Sequence, residues 1–134
     1  MNITFDEKHQ LFSIDTESTS YVIGIGDGRY LGHVYYGKKL EDTKGLYSLL
    51  RTEEPPFVPS KNLREKCAFM DTFPSEYSTW GVGDYRESCL NVRNQAGFRA
   101  CELIYEGYKI IDGKPGLKGL PSTFATEKGL AKTL

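Results

Sequence analysis

Apolar residues along this chain recur at short, roughly alternating intervals, and turn residues cut them into hairpins. Ile3 to Phe5 and Leu11 to Asp15 read as two short strands joined by the polar turn Asp6-Glu7-Lys8-His9-Gln10. The imperfect alternation of Leu11-Phe12-Ser13-Ile14-Asp15 suits a strand near a sheet edge. Ser18-Thr19-Ser20 marks the next turn, and Tyr21 to Ile25 a third strand. Gly26-Asp27-Gly28 then reads as a tight hairpin, because Asp-Gly tolerates positive φ at both central positions. Tyr30 to Tyr36 is the return strand; strict alternation puts Leu31, His33 and Tyr35 on one face and Gly32, Val34 and Tyr36 on the other.

The alternation lapses between Glu41 and Phe73. Pro55, Pro56 and Pro59 exclude a central strand or helix interior there. A long irregular loop is expected around residues 41–76, with Ser60 to Cys67 read as one or two helical turns capped by Ser60. Irregular loops beyond about 12–15 residues are usually functional or disordered. The acids Glu53-Glu54 in it read either as a solvated face or as part of a working loop.

Glu76 to Arg86 packs three aromatics, two glycines and the spaced pair Asp84/Arg86 into one constrained junction. A second hairpin set is expected after it. Ser88 to Arg93 is one strand, Asn94-Gln95-Ala96-Gly97 the turn and Phe98 to Gly107 the partner, followed by extended chain from Tyr108 to Ile111 and a turn at Asp112-Gly113. Gly113 to Pro121, rich in glycine and proline, is a structured loop. Many short strands at hairpin spacing make the class all-β: an antiparallel β-sandwich, since the long central insertion would be awkward in a small closed barrel.

Composition narrows this further. The 134 residues make one domain, and 9 Tyr, 7 Phe and 14 Gly favour β structure over helix. A net charge of −1, with 17 scattered basic residues, leaves no footprint for nucleic acid or an acidic membrane surface. No apolar run approaches the roughly 20 residues of a membrane span, and the first residues lack a secretory pattern. Cys67, Cys89 and Cys101 lack metal-ligand spacing and read as reduced thiols of a cytoplasmic protein.

Candidate chemistry is sparse. There is no nucleophile elbow, zinc motif or dinucleotide fingerprint, and the glycines at 24, 26 and 28 precede no helix and so make no phosphate loop. Asp71, Glu76, Asp84 and Glu87 are carboxylates in number, but no spacing selects a glycosidase pair. Asp84 and Arg86 either brace the loop through a bidentate contact or touch a ligand. Trp80, Tyr77 and Tyr85 either pack into a core or offer a platform to a sugar face, as in a free-standing carbohydrate-binding module. His33, alone in its strand with no Ser, Cys or carboxylate nearby in sequence, is expected to be a hydrogen-bonded packing residue.

Three stretches together resemble one family. Tyr30-Leu31-Gly32-His33-Val34-Tyr35-Tyr36-Gly37-Lys38 resembles its YLGHLYWGK segment, Glu76 to Arg86 its EYPxYGTGDFR segment, and Gly113 to Thr123 its GKPxLxGLPATY segment. Ser20-Tyr21-Val22 fits its early SYV, and order and separations agree across most of residues 3–123. The family is glycoside hydrolase family 36, the bacterial α-galactosidases, and the likeness is to its N-terminal β-sandwich domain. Ser78, Trp80 and Val82 stand where the family has Pro, Tyr and Thr.

The resemblance implies that residues 1–134 are a fragment of a larger enzyme, which also suits the uncapped ending Thr133-Leu134. A catalytic (β/α)8 barrel would follow, carrying two aspartates that hydrolyse terminal α-galactosides such as melibiose and raffinose with retention. A raffinose-synthase-like transferase is a close relative of that activity. This chain itself would hold no catalytic residue, metal or cofactor. Its implied partners are its own barrel, sister subunits of a tetramer and the galactoside substrate. In tetrameric members an acidic residue in the loop after the "GK" strand touches galactose in a neighbouring active site; by position it falls on Glu53, with Glu in place of the usual Asp.

Overall fold

The Asp27-Gly28 pair sets the register of the sheet. In the computed structural model, which describes residues 2–52, 69–116, 118–119 and 132–134, both residues take positive φ (51° and 67°), and Arg29 N–H donates to Gly26 O at 3.0 Å. Asp27 and Gly28 are the central residues of the turn, and with Arg29 they connect β3 (Thr19–Gly26) to β4 (Tyr30–Lys38), Gly26 lying opposite Tyr30. Ahead of them β1 (Asn2–Asp6) pairs with β2 (Leu11–Asp15), and β2 with β3, giving an antiparallel meander in the order β1-β2-β3-β4. The β1–β2 turn is tied by Asp6, whose carboxylate accepts from His9 N–H at 3.0 Å and contacts His9 Nδ1 at 2.7 Å. The expected all-β, antiparallel class holds, and the described residues contain no α-helix.

The face assignment along β4 is corrected by a bulge. Val22 lies opposite Tyr35 and Ile23 opposite His33, so Val34 is an extra residue on β4. An inserted residue reverses the in/out sense of everything after it. Tyr35 therefore packs toward the core with Val34, while Tyr36 joins His33 on the other face, its ring 5.9 Å from that of Tyr21.

One face of the meander is built around small residues. Gly24, Gly26 and Gly32 sit side by side across β3 and β4, and Phe73 and Leu50 press onto them. A Cβ on Gly32 would lie 2.6 Å from Phe73 Cζ and 2.7 Å from Leu50 Cδ2; one on Gly26 would lie 2.6 Å from Phe73 Cε2. The spaced glycines thus admit an aromatic ring. Phe73 is wholly buried, with Phe69, Tyr30, Leu11, Val22, Val34 and Leu50 completing the cluster. Gly32→Ala is expected to cost about 1–3 kcal/mol by overpacking, read as a lower urea midpoint at unchanged slope.

The segment carrying Phe73 then closes the outer edge of β4. His33 N–H donates to Pro74 O at 2.7 Å and Glu76 N–H to Leu31 O at 3.0 Å, so residues 74–76 run antiparallel beside β4. Within the expected long loop, residues 46–49 form a 3-10 turn (Leu46–Leu49) that leads to Leu50. The expected helical turn at Ser60 to Cys67 lies outside the described residues.

The second hairpin is not formed as expected. Its turn is present: Asn94 N–H donates to Phe98 O, Gly97 N–H to Asn94 O and Phe98 N–H to Asn94 Oδ1, all between 2.9 and 3.0 Å. The arms beyond the turn do not form a ladder, because each has another partner. Leu90 bridges in parallel to Thr79; Cys101 N–H donates to Trp80 O at 3.0 Å and Tyr105 N–H to Arg29 O at 2.7 Å. The extended chain then lays Tyr105 and Tyr108 over Phe12 on the second face of the meander, with Tyr108 also 4.9 Å from Phe5. It ends in β5 (Ile111–Asp112), paired with β6 (Lys132–Thr133), which lies beside β1.

Candidate functional site

Gly81, Val82 and Gly83 take φ of 92°, 50° and 90°, three left-handed residues in succession. Two are glycines, as such a path requires; Val82, being β-branched, is held there against its preference. The turn is locked by Gly81 N–H to Asp84 O at 2.7 Å and Asp84 N–H to Gly81 O at 3.1 Å.

Asp84 is the anchor. It is 3 % exposed, and Arg86 grips it through Nε to Oδ1 at 2.8 Å and Nη2 to Oδ2 at 2.7 Å. Arg86 Nη2 also donates to Met70 O at 3.0 Å and Phe73 O at 2.9 Å. The bracing reading is therefore the one observed, and the brace ties the junction to the segment bearing Phe73. The Arg86 hydrogen bond holds Asp84's carboxyl below the usual carboxylate range, against the opposing effect of burial.

The other sequence candidates are dispersed. Glu76 lies on β4's second face, where Tyr21 OH donates to its Oε1 and His33 Nδ1 approaches the same oxygen at 3.4 Å. Burial, then the hydrogen bond and charge of Glu76, push the Tyr21 phenol up. His33 thus does have a carboxylate neighbour, one brought in by the pairing of residues 74–76 with β4; sequence proximity gave no sign of it. Asp71 and Glu87 are exposed. Glu102, not singled out from sequence, accepts from Tyr30 OH at 2.6 Å and Arg29 Nη2 at 3.1 Å. Cys89 and Cys101 are free thiols, and Cys67 and Glu53 lie outside the described residues.

The three aromatics are exposed rather than core, and they do not form one platform. Tyr77 borders a small apolar cavity of about 140 Å³ with Met70, Val82, Cys101, Leu103 and Ile104. Trp80 and Tyr85 turn the other way. Their rings meet edge to face at 5.4 Å and 83°, forming the corner of a polar groove of about 540 Å³.

Comparison with known proteins places this arrangement. Residues 29–134 match the family described as the glycosyl hydrolase family 36 N-terminal domain. The chain is 33 % identical over 132 residues to alpha-galactosidase Mel36A of Lactobacillus acidophilus, covering 98 % of this chain and 18 % of that protein. Among solved structures it resembles the alpha-galactosidase from Lactobacillus brevis, with a TM-score of 0.78, 31 % identity, and coverage of 97 % of this chain and 18 % of that one. It also resembles the alpha-galactosidase AgaB from Geobacillus stearothermophilus, with a TM-score of 0.77, 30 % identity, and coverage of 93 % and 17 %. The chain spans less than a fifth of the length of each of these relatives.

Proposed function

The chain belongs to the glycosyl hydrolase family 36 N-terminal domains, and on that premise we propose that it is the non-catalytic N-terminal domain of a cytoplasmic α-galactosidase that hydrolyses terminal α-galactosides of the melibiose and raffinose type with retention. In this reading it supports a catalytic (β/α)8 barrel, contributes to a tetramer, and lends Glu53 to the sugar site of a neighbouring subunit. The observation that carries the reading is one of span. The chain matches a named N-terminal domain over residues 29–134, and nearly its whole length maps onto 18 % of an α-galactosidase.

The commitments of three of its carboxylates support a structural role. Two-carboxylate glycoside chemistry needs a pair facing one bond across about 5–10 Å. Asp84 is bound to Arg86, Glu76 to Tyr21, and Glu102 to Tyr30 and Arg29.

Two measurements test the proposal. The 134-residue chain alone is expected to show no turnover of p-nitrophenyl α-galactoside; turnover above a heat-treated control rejects it. In the polypeptide that joins this chain to its barrel, Glu53→Ala is expected to raise KM about 10- to 100-fold, the loss of one charged hydrogen bond to a hydroxyl. An unchanged KM removes Glu53 from the sugar site and leaves a purely supporting domain.

A further inference from the structure

The groove beside the braced junction has features that the supporting role leaves unused. Two large rings stand at its corner, Tyr85 68 % and Trp80 38 % exposed. The backbone that carries them is fixed: the Trp80 carbonyl accepts the Cys101 N–H, and Tyr85 lies between Asp84 and Arg86, the two halves of the brace. The two rings also pack edge to face on each other, which lowers the ordering cost of binding.

Arg93, Arg99, Glu87 and Asn91 line the same groove. Among the described residues, the Arg93, Arg99 and Glu87 side chains make no hydrogen bond or ion pair, although both charges line the same groove. The Asn91 amide takes one bond, from Ser88 Oγ at 3.3 Å. The groove therefore offers guanidinium donors, a carboxylate acceptor and an amide that is both, next to two flat apolar faces. Its volume of about 540 Å³ falls in the range usual for small-molecule sites, about 300–1,000 Å³.

We propose that this groove binds a neutral oligosaccharide, with a sugar ring stacked on Tyr85 or Trp80 and its hydroxyls bridging Glu87, Asn91, Arg93 and Arg99. A pyranose has an apolar C–H face for the rings and hydroxyls that donate and accept at once, so it satisfies groups of both signs. A simple anion would use the two arginines but meet the Glu87 carboxylate. A nucleic acid strand needs a longer basic track than two free arginines.

The chain carries its own reporter, since Trp80 is the single tryptophan of the 134 residues. Titration of the 134-residue chain with melibiose, lactose and maltose, followed by Trp80 emission, is expected to show saturable binding of at least one sugar with Kd on the order of 1 mM. Tyr85→Ala and Arg99→Gln, each at an exposed site, are each expected to weaken it at least about tenfold while far-UV circular dichroism stays unchanged. Sodium sulfate at matched ionic strength is expected neither to reproduce nor to displace the signal. Absence of saturation with every sugar overturns the proposal, as does full affinity in both variants. Displacement by sulfate overturns it in favour of an anion site. The experiment involves no turnover, so its failure leaves the role proposed for Glu53 standing.

Discussion

Phe73→Ala is expected to destabilise the fold by about 3–5 kcal/mol, the upper range for loss of a buried ring. The ring is fully buried and lies on the backbone of Gly26 and Gly32. Glycines have no side chains to relax into the void, so the cavity stays open and the cost stays high. Phe69 at 5.3 Å and Tyr30 at 6.4 Å between ring centroids would lose an aromatic neighbour as well. A double-mutant cycle sharpens the test. Gly32→Ala costs stability when Phe73 is present, but its methyl fills part of the space when Phe73 is gone. Urea unfolding of the two single variants and the double variant is expected to give a coupling of about 1–2 kcal/mol. Additive costs would show that Gly32 and Phe73 do not share one packing site.

The second large effect is electrostatic. Asp84→Asn is expected to cost about 2–3 kcal/mol at neutral pH, somewhat below the loss for a fully buried pair because Arg86 is half exposed. It removes the charge and one of the two oxygens that the guanidinium grips, while the contacts to the carbonyls of Met70 and Phe73 stay. Asp84's carboxyl is depressed in the folded protein, so its ionised form stabilises the fold fully above the unfolded value, about 3.9. That contribution is lost as the pH falls through the depressed folded value. Urea midpoints of the two proteins between pH 3 and 7 should therefore lie furthest apart at neutral pH and converge at the acid end. A constant gap down to the lowest pH would mean that Asp84 stabilises by shape and not by charge.

What could be read from residues alone was local. The four strands of the meander announce themselves by alternation, and their tightest turn by the two residues Asp27-Gly28. The Asp84/Arg86 brace was legible because two groups two positions apart in a glycine-rich turn have little else to reach. Longer-range features were not. The bulge at Val34 looks like ordinary alternation, since the missing partner is on β3. The arms on either side of Asn94 carry hairpin composition, but their hydrogen bonds go to Thr79, Trp80 and Arg29. Gly24, Gly26 and Gly32 gave no hint of the ring they receive, because Phe73 arrives from more than forty residues further on. The division of the aromatics, Tyr77 to one cavity and Trp80 with Tyr85 to another, follows from the left-handed path at residues 81–83, which spacing does not reveal.

The short run beside β4 has a bearing on how copies of this domain meet. Leu31's carbonyl and His33's amide are already engaged by the added residues 74–76. Over Leu31 to His33 an incoming strand finds those groups already taken. Side-by-side pairing through the first half of β4, a hazard at any exposed sheet edge, is thereby limited within the fold itself.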